Sequence, residues 1–279
     1  MKFISYRTRE RESYGALIDG KIADLGGQPD APRDLKAAIA AAWLPRSPDQ
    51  MTASLDLADV ELLPIIPNPG KILCVGHNYE EHRKETNRAK TDYPSIFTRF
   101  ADTQIAAGDA ICRPPESTML DYEGELLVIV GKGGRRIDRD DAMDHVAGFA
   151  CANDASIRDW QWHTGQFTPG KNFPKTCASG PWMVTPDEVG PLETLSITTR
   201  VNGEVMQQGR FDQLIFSIPD LVAYCSTFTT LSPGDLILTG TPGGVGAKRQ
   251  PPVWMKAGDT VEITIDNIGT LKNTVDDEA

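Results

Sequence analysis

At residues 119–130 the chain reads Met119-Leu120-Asp121-Tyr122-Glu123-Gly124-Glu125-Leu126-Leu127-Val128-Ile129-Val130, two carboxylates followed by an apolar, β-type run. On a strand, alternate side chains leave the same face, so Glu123 and Glu125 would stand side by side. A hard divalent cation that prefers oxygen ligands, Mg²⁺ or Mn²⁺, would relieve their repulsion better than a single lysine could. An exposed strand with two solvated acids is the alternative explanation of the pair.

Length and charge limit the class of protein. The chain has 279 residues, enough for one large domain or for one with a small appendage. The net charge of −11 argues against nucleic acid as the main partner, because phosphate binding needs clustered Lys and Arg. No apolar run approaches the roughly 20 residues of a transmembrane helix, and the first ten residues lack the apolar segment of a signal peptide. We therefore expect a cytoplasmic protein with no membrane partner.

Several common chemistries lack their sequence signals. The five cysteines are scattered, and none forms a Cys-x-x-Cys pair, which disfavours a disulfide framework or a zinc site. The four histidines form no His-x-x-x-His pair, which weakens the alternative of a zinc hydrolase. Neither a Gly-x-Ser-x-Gly elbow nor a phosphate loop of the Walker or dinucleotide type is present. Serine-hydrolase chemistry and nucleotide binding are therefore disfavoured.

The pattern along the chain predicts two domains. Residues 1–69 form a small N-terminal domain with strands at 2–6, 14–19 and 21–25 and a helix at 34–43, and the proline-rich stretch 62–70 leads out of it. Residues 70–279 form the second domain. Its strands are expected at 71–75, 125–130, 195–201, 235–239 and 260–265, and its helices at 79–87, 138–144 and 218–227. Strands and helices do not alternate regularly, so we predict a strand-dominated α+β fold rather than a doubly wound sheet.

His82 and Glu85 lie three residues apart in Gly76-His77-Asn78-Tyr79-Glu80-Glu81-His82-Arg83-Lys84-Glu85. On a helix they share one face, and Glu85 would orient the imidazole and keep it basic. Such a dyad could take a proton from water. A charge-rich, exposed helix explains the same residues.

Closely spaced glycines in Gly240-Thr241-Pro242-Gly243-Gly244-Val245-Gly246 would let backbone N–H groups approach a small anion. A plain tight turn is the alternative. Lys171, in Pro169-Gly170-Lys171-Asn172-Phe173, has a surface lysine as its simplest explanation.

Six motifs follow one another in a characteristic order: Cys74-Val75-Gly76-His77-Asn78-Tyr79, Asp121-Tyr122-Glu123-Gly124-Glu125-Leu126, Asn153-Asp154-Ala155-Ser156-Ile157-Arg158-Asp159, Gly170-Lys171-Asn172-Phe173, Ile215-Phe216-Ser217-Ile218-Pro219, and Leu231-Ser232-Pro233-Gly234-Asp235-Leu236-Ile237-Leu238-Thr239-Gly240-Thr241-Pro242-Gly243-Gly244-Val245-Gly246. Together they resemble the fumarylacetoacetate hydrolase family, through nearly all of residues 70–270. The resemblance implies a roll of mixed β-sheets, usually paired as a homodimer.

The resemblance also implies a set of site residues. Glu123, Glu125 and Asp154 would hold Mg²⁺ or Mn²⁺, and His82 and Glu85 would lie on a mobile segment that orders over the substrate. The positions that contact the oxo-acid end of ligands in this family are matched here by Lys171, Arg158, Gln161 and Thr241.

The expected reaction follows from these parts. A 2-oxo acid with a second carbonyl at C4 would be attacked at C4 by water that the dyad deprotonates, and the C3–C4 bond would break to give pyruvate and a carboxylic acid. Family members also include oxaloacetate-type decarboxylases and isomerases of unsaturated oxo-diacids, which share the enolate. We predict hydrolysis because both members of the dyad are present. A non-catalytic, metal-stabilised binding protein is an alternative of another class.

Some positions depart from the family pattern. Gly209-Arg210-Phe211-Asp212-Gln213-Leu214 stands where many relatives have Asn-Thr-Ser, so the contacts to the distal part of the substrate are open. Arg99 could meet a second carboxylate, which favours a dicarboxylate such as fumarylpyruvate or maleylpyruvate; a structural ion pair is the alternative. Trp160, Trp162 and His163 could wall the pocket or simply pack.

Overall fold

The computed structural model describes residues 1–49 and 51–278; positions 50 and 279, the first in the predicted N-terminal domain and the second at the end of the predicted catalytic domain, lie outside the described residues. The strands are β1 (Lys2–Arg7), β2 (Glu12–Ile18), β3 (Lys21–Asp24), β4 (Leu55–Asp56), β5 (Glu61–Leu62), β6 (Ile72–Gly76), β7 (Ser95–Arg99), β8 (Gln104–Ile105), β9 (Ala110–Arg113), β10 (Leu120–Asp121), β11 (Gly124–Val130), β12 (Val146–Asp154), β13 (Ser156–Ile157), β14 (Cys177–Val184), β15 (Ser196–Val201), β16 (Glu204–Arg210), β17 (Leu236–Leu238), β18 (Thr260–Ile265) and β19 (Gly269–Asp277).

The helices are short. The α-helices are α1 (Leu35–Ala40), α2 (Glu80–Glu85), α3 (Arg158–Gln161), α4 (Thr168–Lys171), α5 (Pro186–Val189) and α6 (Ile218–Phe228). Single 3₁₀ turns or short 3₁₀ helices cover Leu57–Asp59, Ala101–Thr103, Arg139–His145, Leu192–Thr194, Phe211–Gln213 and Gly246–Lys248.

Two large sheets carry the fold. The first has the order β4-β3-β2-β1-β14-β12-β11-β17-β6-β7, with β5 on β1 and β8 on β14, and the second has the order β16-β15-β18-β19-β9. Most pairs are antiparallel, but three are parallel: β17 with β6, β14 with β8 and β19 with β9. The predicted strand-dominated α+β fold with mixed sheets is therefore confirmed.

Strand β11 lies in the middle of the core. Every residue from Gly124 to Val130 is buried, because the strand has neighbours on both edges and packing on both faces. Leu126 and Val128 join the cluster that includes Ile197 and Ile263 of the second sheet. Leu127 and Ile129 pack on the opposite face of the sheet, in the cluster that includes residues of α1. Continuous apolar character, rather than alternation, is what a strand buried on both faces requires.

The N-terminal segment is joined to the first sheet. β1 pairs antiparallel with β14, in the register Lys2↔Val184 and Phe3↔Met183. Strands from both sides of the predicted boundary thus belong to one hydrogen-bonded sheet. The division into domains 1–69 and 70–279 stays a prediction.

Most of the predicted elements are found within a few residues of their expected bounds. Asp34 caps α1 through its side chain, and Ser217 with Asp220 forms a capping box at the start of α6. The segment expected to be helical at 138–144 is a 3₁₀ helix at Arg139–His145. Among the described residues, no helix is long and apolar enough to cross a membrane.

Candidate active site

The acidic cluster forms where β11 begins and the neighbouring strand β12 ends. β11 starts at Gly124, which pairs with Asn153 near the end of β12. Asp154 N donates to Glu123 O at 2.9 Å, so the two acids lie across from each other. Carboxylate oxygens of Glu123, Glu125 and Asp154 all lie within 4.8 Å of one another, and all three residues are buried. The structure therefore brings together the three predicted metal ligands.

Buried cations lie against two of these acids. Lys171 Nζ donates to Glu123 Oε2 at 2.7 Å and to Asp154 Oδ2 at 2.5 Å. Arg158 Nη2 lies 2.7 Å from Glu123 Oε1, and its Nε donates to Asp121 Oδ2 at 2.8 Å. Lys171 is thus a buried member of the site and not a surface lysine. These cations, despite the burial of Glu123, hold the pKa of that carboxyl well below its usual range.

Glu125 is the acid of this cluster whose negative charge is least balanced by neighbouring cations. Its Oε2 accepts a hydrogen bond from Gly240 N at 2.8 Å, and it forms no ion pair within the described chain. Burial, together with the charges of Asp154 and Glu123, raises its pKa well above the usual range. The local cluster holds four carboxylates, counting Asp121, against three cations, Arg99, Arg158 and Lys171.

The donor set fits a hard divalent cation. All three candidate ligands are carboxylates, which Mg²⁺ and Mn²⁺ prefer over softer ligands. The uncompensated, buried charge of Glu125 is the feature that such an ion would neutralise. With the ion bound, the cluster would carry a net positive charge and would attract an anionic ligand.

The predicted dyad is formed. His82 Nδ1 lies 2.7 Å from Glu85 Oε1, and His82 is 4% exposed. Because an ionised carboxylate only accepts, the ring must donate its Nδ1–H, and Nε2 is then the basic nitrogen. The second oxygen of Glu85 accepts from Gly244 N at 3.0 Å, which ties α2 to the glycine loop. Glu85 is thereby fixed as the orienting partner.

His82 of the dyad and the acids Glu123 and Glu125 line one cavity of about 100 Å³, whereas Glu85 and Asp154 are not among its lining residues. Of the predicted site residues, His82, Glu123, Glu125, Arg158, Gln161, Lys171 and Thr241 line it. Gln161 Oε1 accepts from Arg158 Nη1 at 2.8 Å, which holds both side chains in place. Trp162 also lines the cavity, whereas Trp160 packs edge-on against Phe173.

Arg99 does not line the cavity. Its Nε donates to Asp154 Oδ1, its Nη2 to Ala155 O and its Nη1 to Thr176 Oγ1, and the side chain is fully buried. This arrangement favours the ion-pair alternative over the expected contact between Arg99 and a substrate carboxylate. All three guanidinium nitrogens thus donate to protein acceptors, and one of these acceptors is the carboxylate of Asp154.

Gly240 also has a different contact from the one expected. Its N–H is taken by Glu125 and is not free for a substrate anion. Its φ of +104° requires glycine, and a Cβ there would lie 2.7 Å from the Cβ of Asn78. Thr241 Oγ1 donates to Gly124 O at 2.9 Å, so the loop is bound to the start of β11 at two places.

Three supporting residues were not singled out from the sequence. Asp121 accepts from Gly246 N at 2.8 Å as well as from Arg158, and Asn78 donates to Thr239 O at 2.8 Å and Phe216 O at 3.0 Å. Gln207 donates to Thr241 Oγ1 at 2.8 Å. Asp121 and Asn78 lie inside the quoted motifs, but Gln207 has no sequence signal because it is brought in by β16.

Comparison with known proteins identifies the family to which this fold belongs. The model of the fumarylacetoacetate (FAA) hydrolase C-terminal family matches residues 71–276. This chain belongs to the fumarylacetoacetate hydrolase family.

Particular relatives differ in activity. The human mitochondrial protein named oxaloacetate tautomerase FAHD2A is 45% identical over 223 residues, which cover 79% of this chain and 71% of the relative. The fumarylacetoacetate hydrolase from Exiguobacterium antarcticum superposes with a TM-score of 0.88 at 33% identity, over 100% of both chains. The 2-hydroxyhepta-2,4-diene-1,7-dioate isomerase from Mycobacterium marinum has a TM-score of 0.78 at 31% identity, covering 100% of this chain and 99% of its own.

Proposed function

We propose that the protein catalyses metal-assisted proton transfer at C3 of a small 2-oxo dicarboxylate, interconverting its keto and enol forms as an oxaloacetate tautomerase does. The observation that carries this proposal is that His82, held by Glu85 at 2.7 Å, lines the same cavity as Glu123 and Glu125. A single oriented base opposite a cation site is sufficient for this reaction.

The dyad would move the proton. His82 Nε2 takes a proton from C3 as the C3–H bond breaks, and the electron pair becomes the C2–C3 double bond while the C2 oxygen gains negative charge. The imidazolium then gives up its proton, which passes directly or through water to that oxygen and completes the enol, and the reverse sequence returns the keto acid. Glu85 holds the ring and stabilises the imidazolium formed in between.

The other residues would bind and orient the oxo-acid end. Glu123, Glu125 and Asp154 would hold the divalent ion, which when bound supplies Lewis-acid stabilisation of the developing charge. Lys171 and Arg158 line the cavity beside these acids and add positive charge near the substrate carboxylate. The position of Trp162 at the rim favours limited access of water.

Hydrolysis, predicted from the dyad, is now the second candidate. The dyad does not distinguish the two reactions, because the same nitrogen that would deprotonate water can remove the C3 proton. Two relatives with tautomerase or isomerase names support the proton-transfer reaction.

A product assay separates the candidates. The Mg²⁺- or Mn²⁺-loaded protein is mixed with enol-oxaloacetate, fumarylpyruvate, maleylpyruvate and a simple acylpyruvate, and enol absorbance and product masses are followed. We expect fast loss of the enol band of oxaloacetate with no change of mass. Formation of pyruvate with the matching carboxylic acid, without faster enol decay, would establish a C–C hydrolase; pyruvate with CO₂ would establish a decarboxylase.

A further inference from the structure

A second cavity adjoins the metal cavity. It measures about 300 Å³, and its walls carry three cationic residues, Arg83, Arg88 and Lys90, and no acidic residue. Four residues line both cavities: Gly76, His77, Arg88 and Phe167. A ligand that enters the first cavity with its oxo-acid end at the acids would therefore extend its other end toward this shared wall.

His77 has a polar side chain without a partner at that wall. Both of its ring nitrogens are inaccessible to solvent and find no hydrogen-bond partner among the described residues. Its backbone φ is +57°, in the left-handed region that non-glycine residues seldom adopt. The ring lies 5.3 Å from the ring of His82 and 6.0 Å from that of Phe167, measured between centroids. Polar atoms without solvent access are costly to leave unpaired, so these nitrogens favour a ligand or a bound water at this wall.

Arg88 supplies a charge at the same place. Its Cζ lies 6.0 Å from the centroid of Phe167, so His77 and Arg88 flank one aromatic ring. Its guanidinium forms no ion pair within the described chain, whereas Arg83 is held by Glu80 at 2.7 Å. An unpaired guanidinium beside an imidazole N–H is a suitable receptor for a carboxylate.

We propose that His77 and Arg88 form the subsite for the distal carboxylate of the substrate, which selects 2-oxo dicarboxylates over monocarboxylates. The imidazole donates one hydrogen bond and the guanidinium pairs with the same carboxylate. The inference rests on the proposed function for the identity of the near end of the ligand. Dicarboxylate selectivity is thereby assigned to His77 and Arg88. Arg99 is not assigned this role because its guanidinium nitrogens already donate to protein acceptors.

Equilibrium binding of malate and lactate tests the subsite without turnover. Both are 2-hydroxy acids that chelate through the same end, and they differ in the distal carboxylate. Calorimetry on the Mg²⁺-loaded protein should give malate an affinity at least about tenfold higher than lactate. Arg88→Gln and His77→Leu should each lower malate affinity by about tenfold or more and leave lactate affinity unchanged. His77→Asn, which tolerates the same backbone conformation, serves if the leucine variant does not fold.

Two further variants make the test specific. Lys90 lines only the second cavity, so Lys90→Gln removes one positive charge there without changing the metal cavity. This variant should bind malate and lactate as the wild-type protein does. Lys248→Gln removes the other rim cation of the metal cavity. Loss of malate selectivity in Lys248→Gln but not in Arg88→Gln would overturn the assignment, as would equal weakening of malate and lactate in the Arg88 and His77 variants. A protein that keeps the malate preference yet fails to tautomerise oxaloacetate would retain the subsite and refute the proposed function.

Discussion

At the scale of single residues, Glu85 joins the proposed base His82 to the glycine loop. One of its oxygens orients His82, and the other accepts from Gly244 N of the glycine loop. Removing its charge while keeping its shape should therefore weaken the base and leave most of the geometry in place.

We predict that Glu85→Gln lowers kcat for enol–keto conversion by about 10²-fold or more, because the imidazole loses the carboxylate that orients it and stabilises its charged form. Stopped-flow absorbance measures the rate. Glu81→Gln, an exposed change on the same helix, is the matched control and should have little effect. Equal rates for Glu85→Gln and wild type would remove Glu85 from the mechanism.

His77 should leave a pH signature in the stability of the protein. Burial, followed by the neighbouring His82, lowers the pKa of His77 from its ordinary 6.5 to about 4. Between these values the unfolded chain binds more protons than the folded one, so the free energy of unfolding rises with pH across the window. This stabilisation is complete above the unfolded pKa and is lost as pH falls through the folded one.

We predict that His77→Leu flattens this dependence. The stability difference between wild type and variant should change by about 1–3 kcal/mol between pH 7 and pH 4, the lower figure allowing for solvent screening. Urea unfolding at several pH values measures it. Parallel pH profiles for the two proteins would contradict the lowered pKa.

Several residue-level features could be predicted from the sequence and others could not. The His82–Glu85 spacing is local, so helix periodicity was sufficient to place these side chains together. Glu123 and Glu125 are also close in sequence, but Glu123 precedes β11, so the strand alternation expected for the pair does not by itself account for its position. The pairing of Arg99 with Asp154 joins residues 55 positions apart, and only the sheet topology brings them into contact. The free N–H expected of Gly240 was likewise used by a carboxylate from a distant strand.

At the scale of elements, β7 is tied to the end of β12 by the Arg99–Asp154 ion pair, in which both side chains are fully buried. A buried charge left without its partner is strongly destabilising. The exposed pair Arg113–Asp277 ties β9 to β19 at 2.7 Å and provides a comparison.

We predict that Arg99→Gln lowers the free energy of unfolding by about 3–5 kcal/mol, whereas Arg113→Gln changes it by about 1 kcal/mol or less. Chemical denaturation measures both. If Arg99→Gln were as stable as wild type and instead raised KM for dicarboxylates, the substrate role originally expected for Arg99 would be correct.

Element prediction failed where the strand signal is weak. β12 reads Val-Ala-Gly-Phe-Ala-Cys-Ala-Asn-Asp and β14 contains Gly180 and Pro181, residues of low strand propensity. Both strands form because neighbours pair with them on either edge. Tertiary pairing thus overrides the local preference. β11, by contrast, was found from its apolar run, since its own residues already favour a buried strand.

At the scale of the whole molecule, metal binding should be linked to folding. The three candidate ligands come from the start of β11 and the end of β12, so an ion would cross-link neighbouring strands of the first sheet. A ligand that binds only the folded state stabilises it by about 2.7 kcal/mol at a hundred times its Kd.

We predict that Mg²⁺ or Mn²⁺ raises the Tm of the wild-type protein but not that of Glu125→Gln. In the absence of metal, the variant should be at least as stable as wild type, because it removes a buried carboxylate whose pKa is raised by its surroundings. Differential scanning calorimetry with and without EDTA measures both effects. Glu116→Gln, an exposed substitution, should keep the metal response, and a full response in Glu125→Gln would refute the ligand assignment.

The homodimer expected from the family resemblance stays a prediction. One chain has a mass of 30.5 kDa, and sedimentation equilibrium would show whether the mass in solution is twice that value.

The most direct test of the central claim is hydrogen exchange at C3 of oxaloacetate in D₂O, followed by NMR with the metal-loaded protein. The account predicts deuterium incorporation at C3 well above the buffer rate, with the carbon skeleton intact, and loss of this excess in His82→Ala. Exchange at the buffer rate in the wild-type protein, together with cleavage of an acylpyruvate to pyruvate, would contradict it.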